Sequence, residues 1–322
     1  MMPSTGGLCV SHMPQSSFQS HQPSAEVLRW VIDSVGPGAR IESVSPLHGA
    51  TSSALHRINV NCRGRTVRVV LRQFVSAEWL KVEPDLALHE ALSLQKASRA
   101  GLPTPELIAF DESGDRCGYP TTLMTHLPGS VELRPTNLGD WLSQLAAVLP
   151  HVHALGAEDY PWSYYPYNDI QSLETPDWSK FPKQWERAIE VVTGPRPEAR
   201  ECFIHRDYHP NNVLWQDGRL SGVIDWVNAC RGPAVFDLAW CRLNLARLYG
   251  LAEADRFLSA YRSLAGASFE YHPYWDLIAA IELLPGPPDV YPGWPAFGID
   301  HLNTEIIRER VDHYLVSALA RL

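Results

Sequence analysis

The stretch Phe203-Ile204-His205-Arg206-Asp207-Tyr208-His209-Pro210-Asn211-Asn212-Val213-Leu214, followed by Gly222-Val223-Ile224-Asp225-Trp226, decides how this chain is read. Asn212 stands five residues after Asp207, and a second acid, Asp225, closes an apolar run. Val213-Leu214 and Val223-Ile224 flank Asp217-Gly218, a dipeptide that favours a tight hairpin turn. Pairing of the two runs returns Asp225 to the neighbourhood of the first loop. One carboxylate and one amide then share a loop, with a second carboxylate brought back beside them.

This order of groups suits phosphoryl transfer. It matches the catalytic-loop pattern H-R-D-x-x-x-x-N of kinases and the metal-binding Asp that follows it. Asp207 would accept or orient the proton of an attacking hydroxyl. Asn212 offers a neutral oxygen to Mg²⁺, and Asp225 a hard anionic one. Mg²⁺ and substrate charge between the two acids would relieve their repulsion. Two other readings compete. A polar turn with Asx-type bonds explains Asp207 and Asn212 but not Asp225. A hydrolytic metal cluster of His205, Asp207 and His209 leaves Asn212 idle and finds no second His cluster.

The segment resembles the aminoglycoside phosphotransferase and choline kinase group, whose signature is close to H-G-D-x-H-x-x-N followed by I-D-W or I-D-F. His209-Pro210 is typical of small-molecule kinases rather than protein kinases, and Arg206 stands where the family usually has Gly. Downstream, Gly232-Pro233-Ala234-Val235-Phe236-Asp237-Leu238-Ala239 is similar to the family's G-D-P-x-x-D-L-A, with Arg231-Gly232-Pro233 departing from it. The resemblance implies that Asp237 and His205 support the catalytic loop.

The resemblance also implies four features upstream. The turn Leu47 to Ser53, with Gly49 and Ser52, would approach phosphate through its N–H groups. Arg72, in Val70-Leu71-Arg72, would supply the cation that pairs with phosphates; an exposed Arg on an edge strand is the competing reading. Glu90 on the following helix would hold that cation, and an Arg–Glu pair can be bidentate. Leu123-Met124-Thr125-His126-Leu127-Pro128-Gly129 resembles the family's linker, with Met124 behind the adenine and the backbone of Thr125 to Leu127 on its edge. Backbone readout leaves ATP and GTP undistinguished.

The implied fold is α+β and bilobal, protein-kinase-like, with a β-rich N-lobe and a mainly helical C-lobe. Its expected parts are a disordered tail over 1–23, an N-lobe with its hinge over 24–127, and a C-lobe over 128–322. ATP and Mg²⁺ are expected in the cleft. The implied function is transfer of the γ-phosphoryl group to a hydroxyl of a small molecule. An aminoglycoside-like antibiotic, another amino-alcohol and a sugar are all compatible, so a role in antibiotic resistance is one expectation. A non-catalytic nucleotide-binding protein of this fold and a protein kinase are the alternatives.

Aromatic residues stack on sugars or cover cations, and acids pair with amines. On that ground Trp162 and Tyr165, in a Tyr-, Trp- and Pro-rich loop over 158–182, are candidate acceptor residues. Asp276, Asp289 and Trp294, in the segment 275–301, are the others. His151 and His153 read as packing or capping residues.

Outward from these motifs, a helix is expected to start at the N-cap Ser24. Strands are expected over 54–60 and 66–74, joined at Cys62-Arg63-Gly64-Arg65, and over 106–111 and 121–125. Helices are expected over 84–100, 138–155, 236–265 and 300–322. The 322 residues carry a net charge of -9, with 45% hydrophobic residues, which excludes a basic nucleic-acid footprint. No apolar run approaches the ~20 residues of a membrane span. The N-terminus shows no charged region followed by an apolar one, so no signal peptide is expected, and the six cysteines are far apart with no CxxC or zinc-ligand spacing, so unpaired thiols are expected. A cytoplasmic monomer or homodimer is the expectation.

Overall fold

A computed structural model describes residues 21–47, 53–266 and 269–322. The tail over 1–20 and the phosphate-turn residues Gly49 and Ser52 lie outside the described residues. The chain divides into two compact units: the described part of Cys9–Pro128 with Trp226–Asn228, and Gly129–Asp225 with Ala229–Leu322.

The first unit holds α1 (Ala25–Val35), β1 (Ala39–Pro46), β2 (Ala54–Cys62), β3 (Arg65–Gln73), α2 (Ala77–Val82), α3 (Leu86–Ala97), β4 (Leu107–Asp111) and β5 (Thr121–Thr125). Its antiparallel sheet runs β1-β2-β3-β5-β4. Ser24 caps α1 by accepting from the Val27 N–H at 3.3 Å, as its residue type favours. The apolar stripe Val27, Trp30 and Val31 packs on Ile58, Val60, Val69, Leu71 and Leu123. Each of these large side chains contributes about 1.5–3 kcal/mol by leaving water. Phe74, Leu86, Ala87 and Val227 form a second cluster. The placement of Arg72 corrects one competing reading: β3 is the central strand, and Arg72 is buried rather than exposed on an edge.

The second unit holds β6 (Ser130–Val131), α4 (Leu138–His153), α5 (Pro182–Thr193), β7 (Glu201–Ile204), β8 (Val213–Gln216), β9 (Arg219–Val223) and β10 (Cys230–Pro233). Four further helices follow: α6 (Ala234–Tyr249), α7 (Leu251–Ala265), α8 (Tyr274–Ile281) and α9 (Thr304–Leu319). Gly250 separates α6 from α7, so the helical stretch over 236–265 is two helices. Helix α6 is buried along most of its length, as a central helix must be when apolar residues surround its axis. It packs against α7, α8 and α9.

The β8–β9 hairpin pairs Val213 with Val223 around Asp217-Gly218, both at positive φ (52° and 71°), the geometry that two-residue hairpin turns favour. Gly129 stands at φ 102°, and a Cβ there would meet Ser221 Oγ at 2.2 Å and Trp215 O at 2.7 Å. Only Gly permits the chain to run so close to β8. No helix among the described residues is long and apolar enough to cross a membrane, and the five described cysteines are free thiols.

Candidate active site

The loop between β7 and β8 is held from below by one buried carboxylate. Asp237, on the first turn of α6, accepts the His205 N–H on Oδ2 at 2.9 Å and the Arg206 N–H on Oδ1 at 2.7 Å. Its Oδ2 also meets His153 Nε2 at 3.1 Å, and His153 Nδ1 meets the Tyr261 hydroxyl at 3.2 Å. His205 Nε2 lies 2.9 Å from the Ile224 carbonyl. The loop is thus tied to α6 on one side and to the end of the hairpin on the other.

Asp207 projects from this braced loop. Its Oδ1 accepts the Trp240 indole N–H at 2.8 Å and lies 3.4 Å from His209 Nε2. His209 Nδ1 accepts the Asn211 N–H at 3.4 Å. His209 Nε2 also lies 3.3 Å from Asn212 Nδ2, so the ring packs against both residues. Burial raises the pKa of the Asp207 carboxyl. His209, His205 and the Trp240 N–H outweigh burial and hold it below its ordinary value. The side chain is still 29% exposed, so one edge of this ionised group faces out.

Asn212 stands beside it. Its Nδ2 donates to the Asp207 carbonyl at 2.9 Å and to Asp207 Oδ2 at 3.3 Å. With the amide nitrogen committed there, Oδ1 turns the other way. The Ile224 N–H donates to the Asn212 carbonyl at 2.9 Å, which sets Asp225, the next residue, alongside. Asp225 has φ 66° and Arg206 φ 67°. A non-Gly residue in this region costs about 1–3 kcal/mol, and such strain gathers at functional sites.

Asn212 and Asp225 carry a neutral amide oxygen and a carboxylate. That set fits Mg²⁺, which takes one or two protein oxygens and completes its shell with water and phosphate. Among the described residues no cluster of three or more His, Cys, Asp or Glu forms a metal site, so the hydrolytic cluster of His205, Asp207 and His209 does not assemble.

In the first unit, Arg72 and Glu90 meet at 2.7 Å, both nearly fully buried. Arg72 Nε also donates to Ser53 Oγ at 2.9 Å and its guanidinium lies 5.0 Å from the Phe74 ring. Met124 is buried on β5. The backbone after it is partly committed to the sheet. Thr125 donates its N–H to the Glu106 carbonyl, and His126 donates to the Arg68 carbonyl. Both amides belong to the sheet, and Leu127 supplies the first amide beyond it.

The five acceptor candidates separate. Tyr165 is exposed, at 47%, and Trp162 is half-buried. Trp294 is buried, but its indole N–H donates to Asn211 Oδ1 at 3.2 Å, next to Asn212. Asp289 is exposed and accepts from the Val290 N–H and the Thr304 hydroxyl. Asp276 is a correction. It is fully buried on α8 and committed to Arg242, Tyr271, Tyr314 and Arg321. A buried Arg needs such a partner, and that need removes Asp276 from any acceptor surface. Sequence reasoning missed Trp240, three residues after Asp237, because an indole in a buried helix carries no motif signal.

The arrangement has solved counterparts. A thermostable mutant of aminoglycoside phosphotransferase APH(4)-Ia, in ternary complex with AMP-PNP and hygromycin B, superposes with TM-score 0.59 at 17% identity, covering 91% of this chain and 99% of that one. Macrolide 2′-phosphotransferase MphH from Brachybacterium faecium gives TM-score 0.55 at 17% identity, over 89% and 97%. The chain therefore has the mixed α and β fold of the protein-kinase-like phosphotransferases.

The profile of the phosphotransferase enzyme family (APH) matches residues 44–277, and the chain belongs to that family. Homoserine kinase of Rhodospirillum rubrum is 29% identical over 232 residues, covering 63% of this chain and 69% of that protein. Homoserine kinase of Chelativorans sp. is 32% identical over 175 residues, covering 47% and 51%. The match thus spans only about half of the Chelativorans protein.

Proposed function

We propose that this chain transfers the γ-phosphoryl group of ATP to a hydroxyl of a small molecule. The observation that carries the reading is the pairing of Asp207 and Asn212. One oriented carboxylate is held ionised with an exposed edge, while the amide beside it turns its oxygen away. A hydroxyl placed at that edge would be oriented for in-line attack, and Asp207 would take its proton. Asn212 and Asp225 would hold Mg²⁺, whose charge would neutralise the phosphate oxygens. Arg72, oriented by Glu90, would pair with phosphate, and the Leu127 amide would meet the base edge. Phosphoryl transfer of this kind depends mainly on positioning and charge, and the bonds to Asp237 and Trp240 provide positioning.

For the acceptor, the structure thins the acidic ring that a polycationic sugar would favour, because Asp276 is internally paired. That supports a smaller hydroxylated acceptor, such as an amino-alcohol, over a polyamine antibiotic. The relatives named homoserine kinase point the same way. The test is ADP release with Mg-ATP against L-homoserine, choline, ethanolamine, simple sugars, a macrolide and hygromycin B, with Asp207→Ala as blank. Acceptor-dependent release that vanishes in the variant supports the reading. ATP binding without release from any acceptor would favour a nucleotide-binding protein instead.

A further inference from the structure

Arg206 stands beside Asp207 and is unusual on three counts. Its backbone has φ 67°, a conformation that favours glycine. Its side chain is charged yet 5% exposed. It also forms no ion pair among the described residues, and Nε is buried without a partner. A charged, strained residue persists only where its contacts outweigh both costs.

Asp237 holds the backbone N–H, and the hydrogen bond and ring contacts of the side chain lie on one segment. The guanidinium sits 3.9 Å from the Tyr167 ring centroid and 4.4 Å from that of Tyr165. It donates to the Tyr165 carbonyl at 2.7 Å. Arginine's planar cation suits such stacking better than an ammonium does. Beyond Arg206 the same segment is held on its other side. The Tyr167 N–H donates to the buried Glu282 carboxylate at 3.1 Å, and Asn168 Nδ2 donates to the Ile281 and Leu284 carbonyls. Tyr165 is nevertheless 47% exposed, so a ring braced by Arg206 also presents surface to solvent.

We propose that Arg206 is a positioning residue that latches the segment 164–167 to the loop carrying Asp207 and so holds Tyr165 as a wall of the acceptor site. The wall rests on the phosphotransfer reading above; the latch does not. Substitution by Gly suits the backbone at this position, so Arg206→Gly should fold and lose only the tether.

The test has two arms on the full chain. Hydrogen exchange of the amides in 164–168 should quicken at least tenfold in Arg206→Gly, while β7 and β8 keep their protection. Arg206→Lys, which keeps the charge but not the planar stack, should fall between. Unchanged exchange overturns the latch, and so does loss of protection throughout the unit in both variants. In the second arm, with whichever acceptor of the panel wild type phosphorylates, Arg206→Gly should raise the acceptor KM at least tenfold and leave the ATP KM within twofold. Equal changes in both, or none, overturn the wall. A wild type that phosphorylates no acceptor removes the phosphotransfer reading and the wall with it, and the exchange arm then decides the latch alone.

Discussion

The Trp240 indole N–H donates to Asp207 Oδ1 at 2.8 Å and ties the buried helix α6 to the loop where chemistry is proposed. Oδ2, on the other side of the carboxylate, faces the Asn212 amide at 3.3 Å. The two oxygens of Asp207 thus have different partners, and only its orientation between them suits a hydroxyl at the exposed edge. Trp240→Phe keeps the ring and removes the bond. A hydrogen bond to a charged group is worth about 1.5–3 kcal/mol, so kcat/KM should fall roughly 10- to 100-fold with the fold retained. The lost donor favoured the ionised form, so the acid limb of the pH–rate profile should move to higher pH. A profile and rate matching wild type would remove Trp240 from the site.

Asp207→Ala should lower kcat by about 10²–10⁴-fold, the usual contribution of a positioned proton acceptor. Nucleotide affinity, measured by calorimetry, should change little. Asp225→Ala should instead weaken Mg-ATP binding, because it removes the anionic oxygen proposed for the cation. Near-normal turnover in either variant would dismiss the assigned roles.

Arg72 and Glu90 form a buried ion pair on the central strand and helix α3. Truncating one partner leaves the other charged and buried. Glu90→Ala should therefore destabilise the chain by about 3–5 kcal/mol and raise the ATP KM. Denaturant melts and ATP titrations together check this. A loss below about 1 kcal/mol would mean that water or another group satisfies Arg72.

Asp276→Ala should behave as a stability variant. It removes one of the two carboxylates paired with the fully buried Arg242 and leaves Asp255 as the other, so the loss should stay below the about 3–5 kcal/mol of an uncompensated buried charge. The folded fraction should keep the wild-type acceptor KM. A raised KM with an unchanged melting temperature would return Asp276 to the acceptor surface.

Glu282 predicts a pH dependence of stability. Burial pushes its carboxyl from the ordinary 4.5 up to about 7, against opposing effects of Arg206 and the Tyr167 and Asn168 backbone. The folded state then binds the proton more tightly than the unfolded chain. Stability from this group is full below 4.5 and is lost as pH rises through about 7. The loss is on the order of 3 kcal/mol at most. Glu282→Gln should gain melting temperature relative to wild type between pH 5 and pH 7.5. Parallel melting curves across that range would show that Glu282 does not titrate there.

Much of the local structure was legible from residue order. The strands of the β2–β3 hairpin, β5, the Ser24 cap and the β8–β9 turn follow from alternation, capping chemistry and turn dipeptides. Strand β1 and helices α2, α5 and α8 were not foreseen. Helix α2 is only six residues long with no buried residue, so it has no apolar stripe to detect. The apolar run of α8 is buried on all sides, and periodicity cannot distinguish such a run from a core strand.

Residue order by itself determined that Asp207, Asn212 and Asp225 lie within one loop and one hairpin, because a two-residue turn and a five-residue spacing leave the chain little freedom. Only the tertiary structure decided which acids are available. Asp276 and Asp289 are alike as sequence, yet packing buries one against Arg242 and leaves the other exposed. Trp240, which bonds Asp207, and the tyrosines at 165 and 167, which hold the Arg206 side chain, come from 33 to 41 residues away. Contacts at such separation depend on how helices pack and leave no trace in local spacing.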